Sequence, residues 1–498
     1  MKAWVLALLL GVVSWAQPQK VEPKKITPQK VIDDYLRAAG GAKAIAAIQT
    51  ETIAGSLKEE STGKIGSYSL IVKGPNRFYS EIIVEPDRDV DAYNGMSAWG
   101  EHAQQGVHTL TGAAAKEAEG AGQYWNSRLA DPKKSKLVVQ LVGVERVRGR
   151  DAYRMKVLLG MGEAREVFFD TETHLIVRET GGAEQFDYED YRPINGIQTP
   201  GGIELYKGGH DYRISVTRAE FNSAVDNSVF DFPKAAGIPL PDMKALFLDV
   251  TKNQKTLEEL RRQYTFHVTT EMEQADSKSQ SKTTREVEVF PISGGGSVGH
   301  LIAKDGQPLA GGEKKKEDER FDKEYKERTK EQAKKAAELA ANPKKQAKED
   351  AEDEADLTRI LRVVRFSNPR RERFRGQDAI AVDFGANPDY KPKSIEEHFA
   401  QSLSGALWID EQTHEMVRME AHFSNAFKVA AGLLAAVDKG SSFVFEQARV
   451  NNEVWLPSYA EIHMAARFLL FKGKANGISR FTDYKKFNVE SKVLPVEE

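Results

Sequence analysis

From Thr52 to Pro233 apolar and polar positions alternate with a period of two: Phe78, Ser80, Ile82 and Val84 stand out of phase with Tyr79, Glu81, Ile83 and Glu85. Similar runs recur at Asp151 to Leu158, Glu166 to Asp170, Ile176 to Glu179, Gly202 to Tyr206 and Tyr212 to Thr217. Short alternating runs joined by tight turns predict an antiparallel sheet. Asp170-Thr171-Glu172-Thr173 and Pro193-Ile194-Asn195-Gly196 supply the turns, because Asp or Pro opens a turn and Asn-Gly tolerates positive φ. Ahead of the sheet the period is helical. Thr27 is an N-cap with Pro28 at the first helical position, and Val31, Ile32, Tyr35, Leu36 and Ala39 keep one apolar face until Gly40-Gly41.

The pattern returns later in the chain. Phe169-Asp170-Thr171-Glu172-Thr173-His174 is matched by Ile409-Asp410-Glu411-Gln412-Thr413-His414, and Arg148-Gly149-Arg150-Asp151-Ala152 by Arg375-Gly376-Gln377-Asp378-Ala379. Pro200 pairs with Pro457, Phe221-Asn222 with Phe487-Asn488 and, more weakly, Asn94-Gly95 with Asp305-Gly306. The spacing between partners widens steadily in chain order, which a duplicated fold with longer loops in its second copy produces and chance does not. Two tandem copies are therefore expected, over residues 27–235 and 239–490, with a tail at 491–498.

Two segments of the second copy depart from this pattern. Glu313 to Asp356 is built of Lys and Glu blocks divided by Asn342-Pro343 and has almost no apolar stripe. It predicts a charged helical insertion (313–356), either a solvated helix or hairpin held by Glu to Lys pairs or a docking arm for a partner. Ala426 to Val437 is compact and apolar between Ser424-Asn425 and Asp438-Lys439-Gly440, so it predicts a helix, as core or as a lid over a cavity.

Composition narrows the chemistry. Of 498 residues 40% are hydrophobic, 29% are charged, none is cysteine and the formal net charge is only -3. No disulfide, thiolate metal site or cysteine nucleophile is possible, and the broad basic field that nucleic-acid binding needs is missing. Lys2, the apolar run Ala3 to Val13 and Ser14-Trp15-Ala16 read as a signal peptide over residues 1–16, too short to span a bilayer. Residues 17–26 are a flexible lead-in. The expectation is a secreted, soluble periplasmic protein with no transmembrane anchor.

Catalytic signatures are absent: no HExxH, nucleophile elbow or Walker loop occurs, and no metal or cofactor is expected. Gly294, Gly296 and Gly299 have dinucleotide-fingerprint spacing, but strand-like Glu286 to Phe290 and His300 to Ala303 flank them, so a glycine hairpin loop is expected. His174 and His414 repeat at equivalent turns and read as hairpin-end residues.

These residues resemble a family. The helix ending in Gly40-Gly41, then Tyr93-Asn94-Gly95-Met96-Ser97-Ala98-Trp99, Gly149-Arg150-Asp151-Ala152-Tyr153, Phe169-Asp170 with Thr173, Gly196-Ile197-Gln198-Thr199-Pro200, Phe221-Asn222 and Phe230-Asp231-Phe232-Pro233 occur in the order of the periplasmic lipoprotein-carrier, or LolA-like, superfamily. That superfamily includes outer-membrane lipoprotein-sorting proteins. The resemblance implies an α+β, β-dominated fold: two tandem open antiparallel half-barrels, each packed against helices, whose apolar concave face shelters acyl chains. It implies a non-enzymatic binder of lipid or lipid-modified polypeptide, or alternatively an envelope-stress regulator with a protein partner, like the two-domain anti-sigma-factor partners that share the fold. Expected lining residues are Phe78, Ile82, Trp99, Phe168 and Ile176 in the first copy, and Trp408, Phe423, Phe427, Leu433 and Leu434 in the second.

Overall fold

The Thr27 side chain accepts a hydrogen bond from the Lys30 amide (3.2 Å) and starts a helix over Pro28–Ala39. Its apolar stripe, Val31, Ile32, Leu36 and Ala39, is buried. Gly40 stops it at φ 132°, where a side chain would be strained and a Cβ would sit 2.4 Å from the Gly196 carbonyl oxygen. The computed structural model containing this helix describes residues 26–103, 105–159, 164–233, 239–276, 279–293, 295–342, 362–429, 435–468 and 471–486. The expected signal peptide lies outside them.

The first sheet is antiparallel throughout. From edge to edge it runs Gly106–Thr109, Ala98–His102, Asp87–Tyr93, Arg77–Val84, Ile65–Lys73, Thr50–Glu59, His210–Phe221, Gly202–Lys207, Glu184–Glu189, Ile176–Gly181, Ala164–Asp170, Arg150–Leu158 and Val138–Val147. Its first long strand pairs with its last, Leu57 opposite Ile214, while the two edge strands stay unpaired with each other. The sheet is therefore an open half-barrel. One face is covered by the Pro28–Ala39 helix, packed on Val157, Val167 and Phe169, and by a helix over Gly112–Ser127 that sets Ala118 and Ala121 against Val72 and Phe78. Phe168, Val147, Ala152 and Val177 form a separate cluster on the opposite face.

A second open sheet repeats this order from the third strand of the first onward: Gln307–Pro308, Ser297–Lys304, Gln280–Pro291, Tyr264–Asp276, Phe471–Lys486, Val454–Phe468, Ser442–Val450, Met416–Phe423, Leu403–Asp410, Gln377–Ala386 and Val364–Phe374. Turn geometry repeats too. Arg148-Gly149 (φ 50° and 84°) matches Arg375-Gly376 (50° and 83°), and His174 (63°) matches His414 (52°). Asp170 and Asp410 each accept the amide three residues on through Oδ1. Strand order corrects one sequence pairing: Asp305-Gly306 turns between the strands equivalent to Arg77–Val84 and Asp87–Tyr93, one hairpin before Asn94-Gly95.

The helix expected over Ala426 to Val437 is instead a hairpin. Phe427–Val429 pairs with Ala435–Val437, which pairs in turn with Val454–Phe468. Phe427 and Val437 suit a strand although Ala does not, and pairing with Val454–Phe468 outweighs both the alanines and the cap signals. The charged insertion forms a helix over Gly311–Ala341, but it is not free of the sheet. Phe321 packs at 5.2 Å from Phe290 and 4.8 Å from His300, Glu317 accepts the Leu301 amide, and Arg320 donates to the Gly299 carbonyl. Phe321 and Tyr325, one turn apart, are a short apolar stripe that charge composition conceals.

The two sheets meet through a buried polar joint. Arg370 pairs with Glu372 and Asp383, both at 2.7 Å, and Asp383 is fully buried. The first half reaches this cluster with the Ser97 hydroxyl on Asp383 (2.6 Å), the Thr109 hydroxyl on Glu372, and the Phe232 ring 5.1 Å from the Arg370 guanidinium.

Candidate functional site

The first half-barrel is not filled by its helices. The Gly112–Ser127 helix approaches the sheet at Gly122, where a Cβ would lie 2.2 Å from the Asn76 carbonyl oxygen. Asn126 fixes its end by donating to the carbonyls of Arg77 (3.0 Å) and Gly122 (2.8 Å). Arg128 and Leu129 then turn the chain at φ 45° and 54°. This geometry places Trp125 across the barrel, edge-on to Phe78 (5.0 Å) and Phe186 (6.3 Å).

Trp125 is a wall shared by two cavities. On one side about 150 Å³ is enclosed by Tyr35, Ile53, Leu70, Ile176, Phe186 and Tyr188. On the other about 610 Å³ opens between the sheet and the helix, with Phe78, Val84, Leu110, Ala118 and Ala121 as its apolar wall.

Each cavity carries an ordered polar group. In the smaller, the Glu179 carboxyl accepts hydrogen bonds from the hydroxyls of Tyr124 (2.6 Å) and Tyr188 (3.1 Å), and burial pushes its pKa up despite them. At the rim of the larger, Lys207 Nζ meets Asp89 (2.7 Å), Asp91 (2.6 Å) and Glu184 (3.4 Å). His102 Nδ1 lies 3.0 Å from Asp89, an interaction that raises the His102 pKa. Burial alone would raise Asp89, but the His102 hydrogen bond and the Lys207 charge prevail and hold it at about 2. Between the cavities Arg165, only 3% exposed, lays its guanidinium 5.3 Å from the Tyr124 ring and 5.0 Å from the Trp125 ring.

Among the described residues no group of three or more His, Asp or Glu side chains could hold a metal ion. No helix among them is long and apolar enough to cross a membrane.

The residues singled out from the sequence fall in different places. Phe78 lines the larger cavity and Ile176 the smaller. Ile82 packs in the core with Leu57, Tyr68 and Ile214. Trp99 donates from its indole to the Phe230 carbonyl (2.9 Å) and lies tilted against Phe232 at 6.0 Å, so it fixes the segment that closes the first half. Phe168 and Trp408 occupy equivalent positions on the face away from the helices, and Trp408 lines a cavity of about 320 Å³ between the two halves. Phe423 and Phe427 pack edge-on against Phe399. Leu433 and Leu434 lie outside the described residues.

Trp125, Glu179, Lys207 and Arg165 were not legible as a site. One signal was available for Arg165: it shares strand parity with Val167 and Phe169, which face the helices.

No family model matches the chain, and no curated protein does. Among solved structures it is similar to a DUF1329 family protein from Desulfovibrio piger, at 15% identity over 41% of this chain and 98% of that one, with a TM-score of 0.29. It is similar to a LolA superfamily protein from Nitrosomonas europaea at 13% identity, over 42% and 98%, with a TM-score of 0.28. The Pseudomonas aeruginosa MucA/MucB complex matches over 92% of this chain and 99% of that one, at 8% identity and a TM-score of 0.18.

Proposed function

We propose that the protein is a non-catalytic binder of acyl chains, held in the first half-barrel between the sheet and the Gly112–Ser127 helix. The observation that carries this reading is the single indole separating a largely apolar cavity from a larger one that has an apolar wall on one side and charged side chains on the other. A cavity of about 150 Å³ suits something near the size of benzene. The neighbouring space is four times larger, and rotation of Trp125 joins the two into one channel along the barrel. Each methylene placed there gains about 0.8 kcal/mol, so even a partly buried chain is held firmly. Lys207, Asp89, Asp91 and His102 gather the polar groups on one side of this cavity, opposite Phe78, Leu110 and Ala118 in this reading.

In this reading the chain is exported by its first 16 residues and works in the periplasm, in lipid handling or outer-membrane lipoprotein sorting. The test is binding of a fluorescent sixteen-carbon fatty acid to the full-length protein after organic extraction of co-purified lipid. Saturable binding that Trp125→Ala alters is expected. If the stripped protein binds no acyl probe of any kind, the reading fails.

A further inference from the structure

Arg165 sits in the wall of the larger cavity with no carboxylate bonded to it, and its charge is met only through space by the buried Glu179, whose pKa it lowers. Among the described residues no carboxylate lies within ion-pair distance of its guanidinium, and Nη1 is sealed from solvent without a hydrogen-bond partner. A buried cation without a partner is among the costliest groups a fold can hold, and stacking on two aromatic rings offsets only part of that cost. Neighbouring acids make their direct bonds elsewhere, and Glu179 reaches Arg165 only through space. Asp89, Asp91 and Glu184 are engaged by Lys207, Glu59 by His210, and the Glu179 carboxyl by two tyrosine hydroxyls. The fold also leaves room for this side chain. Gly181 lies on the neighbouring strand, and a Cβ there would come within 2.8 Å of Arg165 Cγ and 2.9 Å of its Nε.

We infer that Arg165 is the anion receptor of the cavity, and that the ligand is an amphiphile whose carboxylate or phosphate head meets this guanidinium while its tail lies along Phe78, Leu110 and Ala118. The planar fork of arginine matches either oxyanion with two parallel hydrogen bonds, and a cavity sheltered from water strengthens them. The inference rests on acyl binding as proposed above and adds the chemistry of the head.

The experiment uses lipid-stripped full-length protein and compares palmitate, hexadecyl phosphate and uncharged hexadecanol as competitors of one fluorescent acyl probe. At least one anionic amphiphile is expected to bind more than tenfold tighter than hexadecanol. In Arg165→Met that preference disappears while hexadecanol binding is kept, and in Arg165→Lys it is partly restored. Equal affinity of wild-type protein for hexadecanol and both anions overturns the inference, and needs no variant to fold. So does a preference that survives in a folded Arg165→Met. Displacement of palmitate by millimolar acetate or inorganic phosphate would show that a free anion occupies Arg165, and would overturn the amphiphile assignment. Failure of every amphiphile, hexadecanol included, would sink acyl binding itself, an outcome distinct from loss of head preference alone.

Discussion

Gly122→Ala is a substitution whose sign separates two accounts of the helix that roofs the cavities. In a solvated helix, replacing glycine by alanine stabilises by about 1 kcal/mol. Here the new Cβ would stand 2.2 Å from the Asn76 carbonyl oxygen and 3.2 Å from the Tyr93 ring. That is more than about 1 Å short of ordinary van der Waals contact, and the obstacle is backbone that cannot rotate aside. The helix has to lift, and lifting strains the Asn126 bridge to the Arg77 carbonyl. Overpacking costs about 1 to 3 kcal/mol, and a clash with backbone falls in the upper part of that range, about 2 to 3 kcal/mol, which leaves a net loss of about 1 to 2 kcal/mol after the propensity gain. Thermal unfolding followed by circular dichroism should show Tm lower by about 2 to 8 °C. An unchanged or raised Tm would mean that the helix does not lie as close to the sheet as described, and the cavity walls with it.

Removing Arg370 leaves Glu372 and the fully buried Asp383 without their cation, so Arg370→Ala should cost about 3 to 5 kcal/mol, measured as a shift in urea midpoint. Asp89 is held at about 2, below the ordinary value for Asp of about 4, so the stability it confers is complete above that value and lost as pH falls towards 2. Asp89→Asn should accordingly flatten the fall in Tm between pH 4 and 2, and an unchanged slope would remove Asp89 from the acid response. Phe321→Ala should release the charged helix from Phe290, seen as faster proteolysis within Gly311–Ala341 and a Tm lower by a few degrees, about 1 kcal/mol or more. Wild-type protease resistance in that variant would show that the polar contacts of Glu317 and Arg320 suffice.

The parts of the fold carried by local chemistry were legible in the sequence. The Thr27 cap, the Asp170 and Asp410 turns and the period-two runs each answer to a few neighbouring residues. What tertiary contact decides was not. The Gly112–Ser127 helix escaped notice because Gly120 and Gly122 weaken its helical signal, and Gly122 is there for close approach to Asn76. Phe168 and Phe169 are adjacent and equally apolar, so alternation cannot say which faces the helices. Tyr35, 5.3 Å from Phe169, settles it. The hairpin at Phe427–Val429 owes its form to Val454–Phe468 alongside it, a partner the local sequence does not contain. The candidate site was least legible of all, since a charged residue such as Arg165 within a strand reads as surface until the strand's inward parity is known.

The joint between the sheets divides its chemistry unevenly, and this bears on how the chain is made. Every charge of the buried Arg370 cluster, namely Arg370, Glu372 and Asp383, belongs to the second half, while the first supplies the hydroxyls of Ser97 and Thr109 and the ring of Phe232. Domains fold as units as they leave the ribosome or translocon, N-terminal first. The earlier half can therefore close while its two hydroxyls bind water, and the later half arrives with an arginine already paired to both carboxylates, so that each ion has a partner of opposite sign. Neither has to shelter an unpaired ion at this boundary while its neighbour is still being synthesised.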